Sequence, residues 1–282
     1  FTSALKYGWE EIGESYCMAK IDILIVAKTY PEISRKYTET VCTAGILAES
    51  RSMARLYPIR FRYLEGNQQF KKYQWIKANI HKATADPRPE SYTIEPDSIE
   101  LGDVIQTGDD RGERCSWILR KPNVYPSVEA LRDAQVNKKT SLGVVKPKGV
   151  ERVLIQERNQ DEVAEAIAKK ESVICQIDLF EEKKDLYILP VRIVLEFFCD
   201  DPTCGGHKMS ILDWEFGQLY RRVRYDPDWK EKIKAKILKE IFSADRDTHV
   251  ILGNMANHPQ VFCVLGFFYP PMRAARQKPL FA

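Results

Sequence analysis

The sequence lacks a run of about 20 apolar residues, the length that a membrane-spanning helix requires. Its longest apolar stretches, residues 21–27 and 261–269, have the length of β-strands. Residues 1–17 mix polar and aromatic side chains, so we expect no secretory leader there. These features predict a protein with no membrane partner.

The cysteines argue against a disulfide framework. The chain has seven of them, an odd number, scattered over 282 residues. Disulfide frameworks typically pair an even number of cysteines in short secreted chains. We therefore expect a reducing environment and predict a cytoplasmic location.

Several catalytic motifs are also absent. The chain contains neither the phosphate-binding loop Gly-x-x-x-x-Gly-Lys-Ser/Thr nor the dinucleotide fingerprint Gly-x-Gly-x-x-Gly. It has no Gly-x-Ser-x-Gly nucleophile elbow and no His-Glu-x-x-His helix. These absences argue against nucleotide binding through a phosphate loop and against the serine hydrolases and zinc proteases that carry such motifs.

What the chain does contain is typical of a globular protein, with 44% hydrophobic and 29% charged residues. Strand-sized segments outnumber helical ones and mostly follow one another as hairpins. The sequence therefore predicts an α+β fold with mostly antiparallel strands, several short helices and a zinc-binding hairpin tip. The predicted helices include residues 36–49, residues 127–136 and one that begins near Asp213.

The domain organisation is predicted from composition. Residues 18–140 form an α+β region rich in arginine and aromatic residues, and residues 141–282 form an α+β region with a Cys/His hairpin. A cluster of Lys, Thr and Pro at residues 137–149 marks the boundary, although one continuous domain is the alternative. Met18 is typical of a natural start, which would make residues 1–17 an addition. The alternative is that these residues are native, and both interpretations stay open.

The most informative segment is residues 199–207, Cys-Asp-Asp-Pro-Thr-Cys-Gly-Gly-His. It brings two thiols and an imidazole, on Cys199, Cys204 and His207, onto one tight loop. Soft sulfur together with imidazole is the donor set that zinc prefers. The sequence therefore predicts that these three residues bind a structural zinc ion.

A structural zinc ion takes four protein ligands, and only three are local here. The candidates for the fourth are Cys175, Cys115, His249, Asp200 and Asp201. In the alternative interpretation the two cysteines are free or form a disulfide, and His207 is a surface residue.

Carboxylates follow the Cys/His segment. Asp213 and Glu215 come directly after the second hairpin strand, and Glu196 lies on the first. Such a set can bind a divalent metal or act as a general base, which predicts a nuclease or related hydrolase with Asp178 and Lys208 as possible additional members. The simpler interpretation is that Asp213 caps the following helix and Glu215 favours its first turn.

Arginine and aromatic residues alternate in three segments, at residues 51–63, 71–77 and 220–225. Guanidinium groups bind phosphates, and aromatic rings stack on unpaired bases. The predicted contacts to nucleic acid come from Arg55, Arg60, Arg62, Lys72, Trp75, Arg221, Arg222 and Arg224. Alternatively, these arginines pair with the 40 acidic residues of the chain and the rings belong to the core.

The sequence thus predicts a nucleic-acid-binding protein with a structural zinc site. The net charge of +3 permits an anionic partner without requiring one. The alternatives are a divalent-metal-dependent nuclease or hydrolase that uses Asp213, Glu215 and Glu196, and a protein-interaction module with Tyr and Arg anchors. The choice between DNA and RNA stays open.

Overall fold

The computed structural model describes residues 20–106, 112–175 and 184–272. Asp178, one of the carboxylates singled out in the sequence, lies outside these ranges. The described residues form mixed sheets with several helices, which confirms the predicted α+β class. No helix in these ranges has both the length and the apolar character needed to cross a membrane.

The first sheet is built by the first part of the chain. Its strands are β1 (Ile21–Lys28), β2 (Glu32–Ser34), β3 (Thr38–Leu47), β4 (Met53–Ile59), β5 (Gln74–Ala78), β6 (Ile80–Lys82), β7 (Ser91–Ile94) and β8 (Glu100–Val104). Their order is β6-β7-β4-β3-β1-β5-β8, with β2 paired to β3. The β4–β7 pair is parallel and the other pairs of this sheet are antiparallel.

Strand β3 replaces the helix predicted over residues 36–49, and that prediction is wrong. The β-branched residues Val41, Thr43 and Ile46 favour extended backbone. The strand lies in the sheet between β1 and β4, with most residues on both of its faces buried. An apolar stretch buried on both sides has no period of two, so its pattern alone cannot be told from that of a buried helix.

Two further sheets follow. The second has the order β15-β14-β10-β9 and the third the order β11-β12-β13. Their strands are β9 (Val124–Tyr125), β10 (Leu142–Val145), β11 (Pro147–Glu157), β12 (Val191–Cys199), β13 (His207–Ser210), β14 (His249–Met255) and β15 (His258–Phe268). The β9–β10 pair is parallel, and the other pairs of these two sheets are antiparallel.

Helices connect and cover these sheets. They are α1 (Gly112–Ile118), α2 (Val128–Lys138), α3 (Gln160–Ile174), α4 (Trp214–Val223) and α5 (Trp229–Ala235), which continues as a π-helical turn over Lys236–Ile241. Side chains of Ser127, Asn159 and Asp213 cap α2, α3 and α4 by accepting hydrogen bonds from backbone N–H groups.

A shared core joins the first sheet to the second. Leu24, Ala44 and Ile46 of the first sheet belong to one buried cluster with Leu142, Ile251, Leu265 and Phe268 of the second. Arg55, which is buried, adds a hydrogen bond of 3.0 Å from its guanidinium to the carbonyl oxygen of Ser141. Apolar packing and an internal hydrogen bond therefore hold the two sheets against each other. The domain boundary at residues 137–149 stays a prediction.

Candidate metal centre and ligand cleft

Four side chains, one from α2 and three from the hairpin of β12 and β13, converge at one end of the third sheet. Cys199 Sγ, Cys204 Sγ, a ring nitrogen of His207 and a carboxylate oxygen of Glu129 all lie within 4.8 Å of one another. His207 Nε2 is 3.2 Å from Cys204 Sγ and 3.2 Å from Glu129 Oε1. The structure therefore brings the three residues singled out in the sequence together and adds a carboxylate.

The loop between β12 and β13 positions the three local residues. Antiparallel pairing of Phe197 with His207 brings the ends of the two strands together. The Asp201 side chain accepts a hydrogen bond of 2.9 Å from Thr203 N. The backbone carbonyl oxygen of Asp201 accepts one of 3.0 Å from Cys204 N. Gly206 has a φ of +89°, a conformation that glycine adopts without strain, directly before the histidine.

Glu129 reaches the loop from the first turn of α2. Ser127 fixes the start of this helix by accepting a hydrogen bond of 3.1 Å from Ala130 N. Sequence reasoning missed Glu129, because an acidic residue in a first helical turn is already explained by the helix dipole. Its role is visible only once the chain has brought α2 against the hairpin.

The five residues predicted as fourth ligand are elsewhere or otherwise engaged. Asp200 pairs with Lys148 at 2.9 Å, and Asp201 shapes the loop as described above. A ring nitrogen of His249, Nδ1, lies 3.0 Å from the carbonyl oxygen of Asp247. Cys175 is the exposed residue that directly follows α3, and Cys115 lies in α1.

Burial sets the protonation of the cluster. It raises the pKa of the Cys199 thiol to about 11, and it lowers the pKa of His207 against the opposing charge of Glu129. Two backbone N–H groups point at the sulfur atoms: Val128 N is 3.4 Å from Cys199 Sγ, and Cys199 N is 3.2 Å from Cys204 Sγ. Such donors stabilise thiolates, the form that binds metal ions.

Two polar atoms of the cluster lack a hydrogen-bond partner within the described residues. They are Glu129 Oε2 and His207 Nδ1, both buried. Buried polar atoms normally have partners, and a bound cation is one way to satisfy a buried carboxylate. The donor set of two sulfurs, one nitrogen and one oxygen therefore fits a four-coordinate metal ion.

A second feature is a cleft of about 720 Å³ between the first sheet and the helices that follow β13. Its floor is made of core residues from both parts of the chain, including Ile25, Phe216 and Phe267, which are at most 5% exposed. Aromatic residues stand around it, namely Phe61, Phe70, Trp214 and Tyr269.

Cations outnumber carboxylates in this cleft. Among the residues that the structure describes, five cationic side chains line it, and two carboxylates accompany them. The cations are Lys28, Lys71, Lys72, Arg222 and Lys236, and the carboxylates are Asp213 and Glu215. Positive charge beside aromatic surface suits a ligand that is both anionic and aromatic.

Lys28 lies in an aromatic cage. Its Nζ is 3.3 Å from the ring centroid of Phe61 and 4.8 Å from that of Trp214, and it donates a hydrogen bond of 3.4 Å to the carbonyl oxygen of Phe70. Burial lowers the pKa of Lys28 to about 8, although Glu215 and Asp213 oppose the shift. Sequence reasoning missed this residue, whose only signal is a lysine that ends a buried strand.

Lys72 and Asp213 lie near each other beside Gly266, and both line the cleft. Lys72 donates a hydrogen bond of 2.8 Å to the carbonyl oxygen of Phe267. Its ammonium and the Asp213 carboxylate both lie within 4 Å of the point where a Cβ on Gly266 would stand. Burial disfavours the charged ammonium, but the charges of Tyr73, Asp213 and Glu215 outweigh this effect and raise the pKa of Lys72.

Asp213 has two roles in this arrangement. It caps α4, as the simpler interpretation predicted, by accepting a hydrogen bond of 2.6 Å from Glu215 N. Its side chain also lines the cleft, although the residue is only 5% exposed. Burial raises the pKa of Asp213 to about 6, with Lys72 acting in the opposite direction.

The third predicted carboxylate, Glu196, does not line this cleft. It lies on β12 between Arg152 and Lys208, and it pairs with both of these cations. The hydrogen bond from Arg152 is the main cause of its lowered pKa. The structure therefore brings Asp213 and Glu215 into one cavity and places Glu196 in a separate ion-pair group.

The arginine and aromatic residues of the first segment mostly serve internal contacts. Arg55 is buried and donates to Ser141 and to Cys42 Sγ. Arg62 binds the carboxylate of Glu39 and the carbonyl oxygens of Lys184 and Asp185. Arg60 is half-buried, with its guanidinium 4.2 Å from the Tyr63 ring centroid.

The other predicted contact residues divide between core and surface. Trp75 packs edge-on against Trp117, with ring centroids 4.9 Å apart. Arg224 lies 4.2 Å from the ring centroid of Tyr187. Arg221 and Arg222 are exposed on α4, and of these two only Arg222 lines the cleft.

Two family models match the chain. The model described as Domain of unknown function (DUF8758) matches residues 19–120, and the model described as Domain of unknown function (DUF8757) matches residues 124–282, more than half of the chain. No curated protein matches it. The metal-ligand cluster lies within the second match, whereas residues of both matches line the cleft.

Proposed function

The chain belongs to the family described as Domain of unknown function (DUF8757), and from its cleft and its metal-ligand cluster we propose that it is a nucleic-acid-binding protein with a structural zinc site. The cleft is the proposed binding surface. The Cys/His/Glu cluster is the proposed zinc site, and it stabilises the part of the chain that forms one side of the cleft.

One observation carries the binding proposal. Lys28, Lys71, Lys72, Arg222 and Lys236 surround a cavity that is also lined by aromatic rings. Cations bind phosphate groups, and rings stack on unpaired bases. The volume of about 720 Å³ suits one unpaired nucleotide rather than a duplex, so the proposed ligand is a single strand or a strand end.

Direct binding of a labelled single strand tests this proposal. We expect retention that weakens as salt increases, because phosphate contacts release counterions. Arg222→Ala removes a cation of the cleft and should weaken binding about tenfold, the effect of losing one charge-assisted contact.

The matched control is Arg221→Ala, which removes the neighbouring exposed arginine of α4 outside the cleft. It should leave the affinity within about twofold of the wild type, since surface charges act weakly over such distances in salt. Equal losses in both variants would point to a diffuse basic surface instead of the cleft. Salt-insensitive binding to a protein, with no affinity for nucleic acid, would favour the interaction-module alternative.

The choice of zinc rests on the donor set of Glu129, Cys199, Cys204 and His207. Thiolate and imidazole ligands select zinc over magnesium or calcium, and four protein ligands leave no open position for catalysis. A reducing, cytoplasmic location would keep the two cysteines as thiols. Metal content measured by mass spectrometry, on protein purified without an affinity metal, should give one zinc per chain.

The Cys204→Ser variant serves as the control for that measurement. It should lose the zinc, because one strong ligand of four is removed and serine does not replace a thiolate. A wild-type protein without metal, or a variant that keeps it, would overturn the zinc proposal.

A divalent-metal nuclease is the second candidate. It is favoured by the position of Asp213 and Glu215 in the same cleft as the cations. Under this alternative, the strand that binds would be cut when magnesium or manganese is added, and Asp213→Asn would abolish cutting while retaining the helix cap. Binding without any cutting under these conditions would contradict the nuclease alternative and support a function in binding only.

A further inference from the structure

We propose that the back of the cleft recognises a terminal phosphomonoester, the phosphate at the end of a nucleic-acid strand, between Lys28 and Lys72. This inference rests on the proposed function and makes it more specific. It commits the cleft to a strand end rather than to an internal nucleotide.

The first support is the placement of the two ammonium groups. Lys28 comes from the end of β1, and Lys72 comes from the segment that precedes β5, a neighbour of β1 in the sheet. Both groups are anchored on backbone carbonyl oxygens, of Phe70 at 3.4 Å and of Phe267 at 2.8 Å. An ammonium has three donors, so each lysine keeps hydrogen-bonding capacity beyond its anchor.

The second support is the environment of Lys28. Its Nζ lies close to the rings of Phe61 and Trp214 rather than in an ion pair, since within the described residues it forms no contact with a carboxylate under 4 Å. A desolvated cation gains more from an incoming anion than a solvated one, because the interaction is less screened. Trp214 and Tyr269, the two half-buried aromatic residues of the lining, also offer a surface to the base that carries the phosphate.

The third support is that the cleft ends in the core. Ile25, Ala27, Phe216, Ile241 and Phe267, all at most 5% exposed, form its floor. A strand cannot continue through this floor, so an internal phosphate would have to enter with both of its neighbours folded back. A terminal phosphate is joined to the strand by one ester bond only, so it can enter with the strand leaving in one direction.

The charges of the cleft also favour a terminal phosphate over an internal phosphodiester. A terminal phosphate carries close to two negative charges at neutral pH and three free oxygen atoms, whereas a diester carries one charge and two free oxygen atoms. Asp213 and Glu215 oppose any anion, but five cations outnumber these two carboxylates. The monoester therefore gains more than the diester from this excess of cations.

The test compares strands of one sequence that differ only at their ends. Fluorescence anisotropy measures the affinity of the full chain for an unstructured oligonucleotide with a 5′-phosphate, with a 3′-phosphate, or with hydroxyl groups at both ends. We expect one phosphorylated strand to bind at least about tenfold more tightly than the hydroxyl strand, the effect of one added charge-assisted contact. A nucleoside monophosphate should compete for the same site.

A single substitution tests whether Lys28 causes the preference for a phosphorylated strand end. Lys28→Met keeps the apolar stem of the side chain between the rings and removes the ammonium, so the ratio of affinities for phosphate and hydroxyl ends should fall to about one. Lys82→Met is the matched control, because Lys82 also lies over a ring, that of Tyr92 at 3.9 Å, and contacts a backbone carbonyl, of Pro89, but outside the cleft. It should keep the ratio of the wild type.

The outcomes separate this inference from the proposed function. Strand binding with equal affinity for all ends, or an unchanged ratio in Lys28→Met, overturns the inference and leaves nucleic-acid binding in place. Binding of the monophosphate without binding of any strand supports the phosphate site and overturns the proposed function. No binding of strand or monophosphate overturns both.

Discussion

At the scale of single residues, Asp213 combines two demands that usually fall on separate side chains. It caps α4 and also lines the cleft, where burial raises its pKa to about 6. The charged groups that act on it are Lys72 and Glu215, and it acts in turn on the charge of Lys28. A carboxylate held in this way costs stability when it is ionised and little when it is protonated.

This predicts a pH-dependent effect of Asp213→Asn, which keeps the cap but not the charge. Because the folded pKa is raised from 3.8 to about 6, the folded state binds more protons between these values, and the contribution of Asp213 to stability rises as pH falls. At pH 7 the variant should be more stable than the wild type by up to about 2 kcal/mol. Urea unfolding at pH 7 and at pH 4 should show that advantage shrinking at the lower pH; a constant difference would contradict the shifted pKa.

Lys28 gives a second residue-scale prediction. With a pKa of about 8, its amine is largely neutral at pH 9, whereas an ordinary lysine titrates near 10.4. Acylation rates resolved by mass spectrometry should therefore level off above about pH 9 for Lys28. Free Nα-acetyllysine in the same reaction is the control, and its rate should still rise there. Parallel profiles for Lys28 and this control would contradict the effect of the cage.

At the scale of elements, the metal-ligand cluster connects helix α2 to the hairpin of β12 and β13. Glu129 belongs to α2, and the other three ligand candidates belong to the ends of β12 and β13 and their connecting loop. A bound ion would fix the first turn of α2 against that loop. The loop between β12 and β13 is a short polar segment, so a bound metal ion would contribute much of the order of this loop.

The variant Glu129→Gln tests that connection. We expect it to lower zinc affinity at least about tenfold, since it replaces a charged ligand by a neutral amide. Amide hydrogen exchange should then accelerate both in the loop of residues 200–206 and at the start of α2. Asp133→Asn, an exposed acid on the same helix, is the control and should leave both unchanged. Unchanged zinc affinity in Glu129→Gln would show that α2 supplies no ligand to the metal site.

The packing of α4 gives another element-scale prediction. A Cβ on Gly217 would stand 2.0 Å from Cδ2 of Tyr30, so Gly217→Ala must force apart the helix and this ring, which lies in the connection between β1 and β2. Overpacking of this kind typically costs about 1–3 kcal/mol, more than alanine gains in a helix. Thermal unfolding should show the loss. Gly149→Ala, where nothing lies within 4 Å of the added atom, should change stability far less, and equal effects would contradict the close approach.

At the scale of the whole molecule, the cleft exists only because the two family-matched regions lie against each other. Lys28 and Lys72 come from the first region, and Asp213 and Arg222 come from the second. A common apolar cluster and the hydrogen bonds of Arg55 to Ser141 join these regions. Neither region alone contains the complete cleft.

This arrangement predicts that the chain unfolds in one cooperative transition. Separating the regions would expose apolar residues of the common cluster, including Leu24, Ile46 and Phe268, so neither is expected to stay folded without the other. Calorimetry should give equal calorimetric and van't Hoff enthalpies. Two resolved transitions would show that the regions fold independently, and the cleft would then open without loss of either one.

Local signals predicted much of this molecule. The run of β-branched residues in β1, the caps of Ser127 and Asp213 and the Cys/His spacing each act within a few residues. The structure agrees with the strand and with both helix caps that these signals indicate. The error at β3 has a physical cause. A strand buried on both faces carries no alternation, so its apolar pattern is shared with a helix.

The sequence by itself determined the α+β class and the trio of Cys199, Cys204 and His207, because secondary structure and a short chelating loop depend on neighbours along the chain. Only the tertiary structure decided that Glu129 joins that trio, that Arg55 and Arg62 make internal contacts, and that Lys28 and Asp213 line the same cleft. These relations depend on how sheets and helices pack. Packing is set by the sum of many weak apolar contacts over the whole chain, which no local pattern contains.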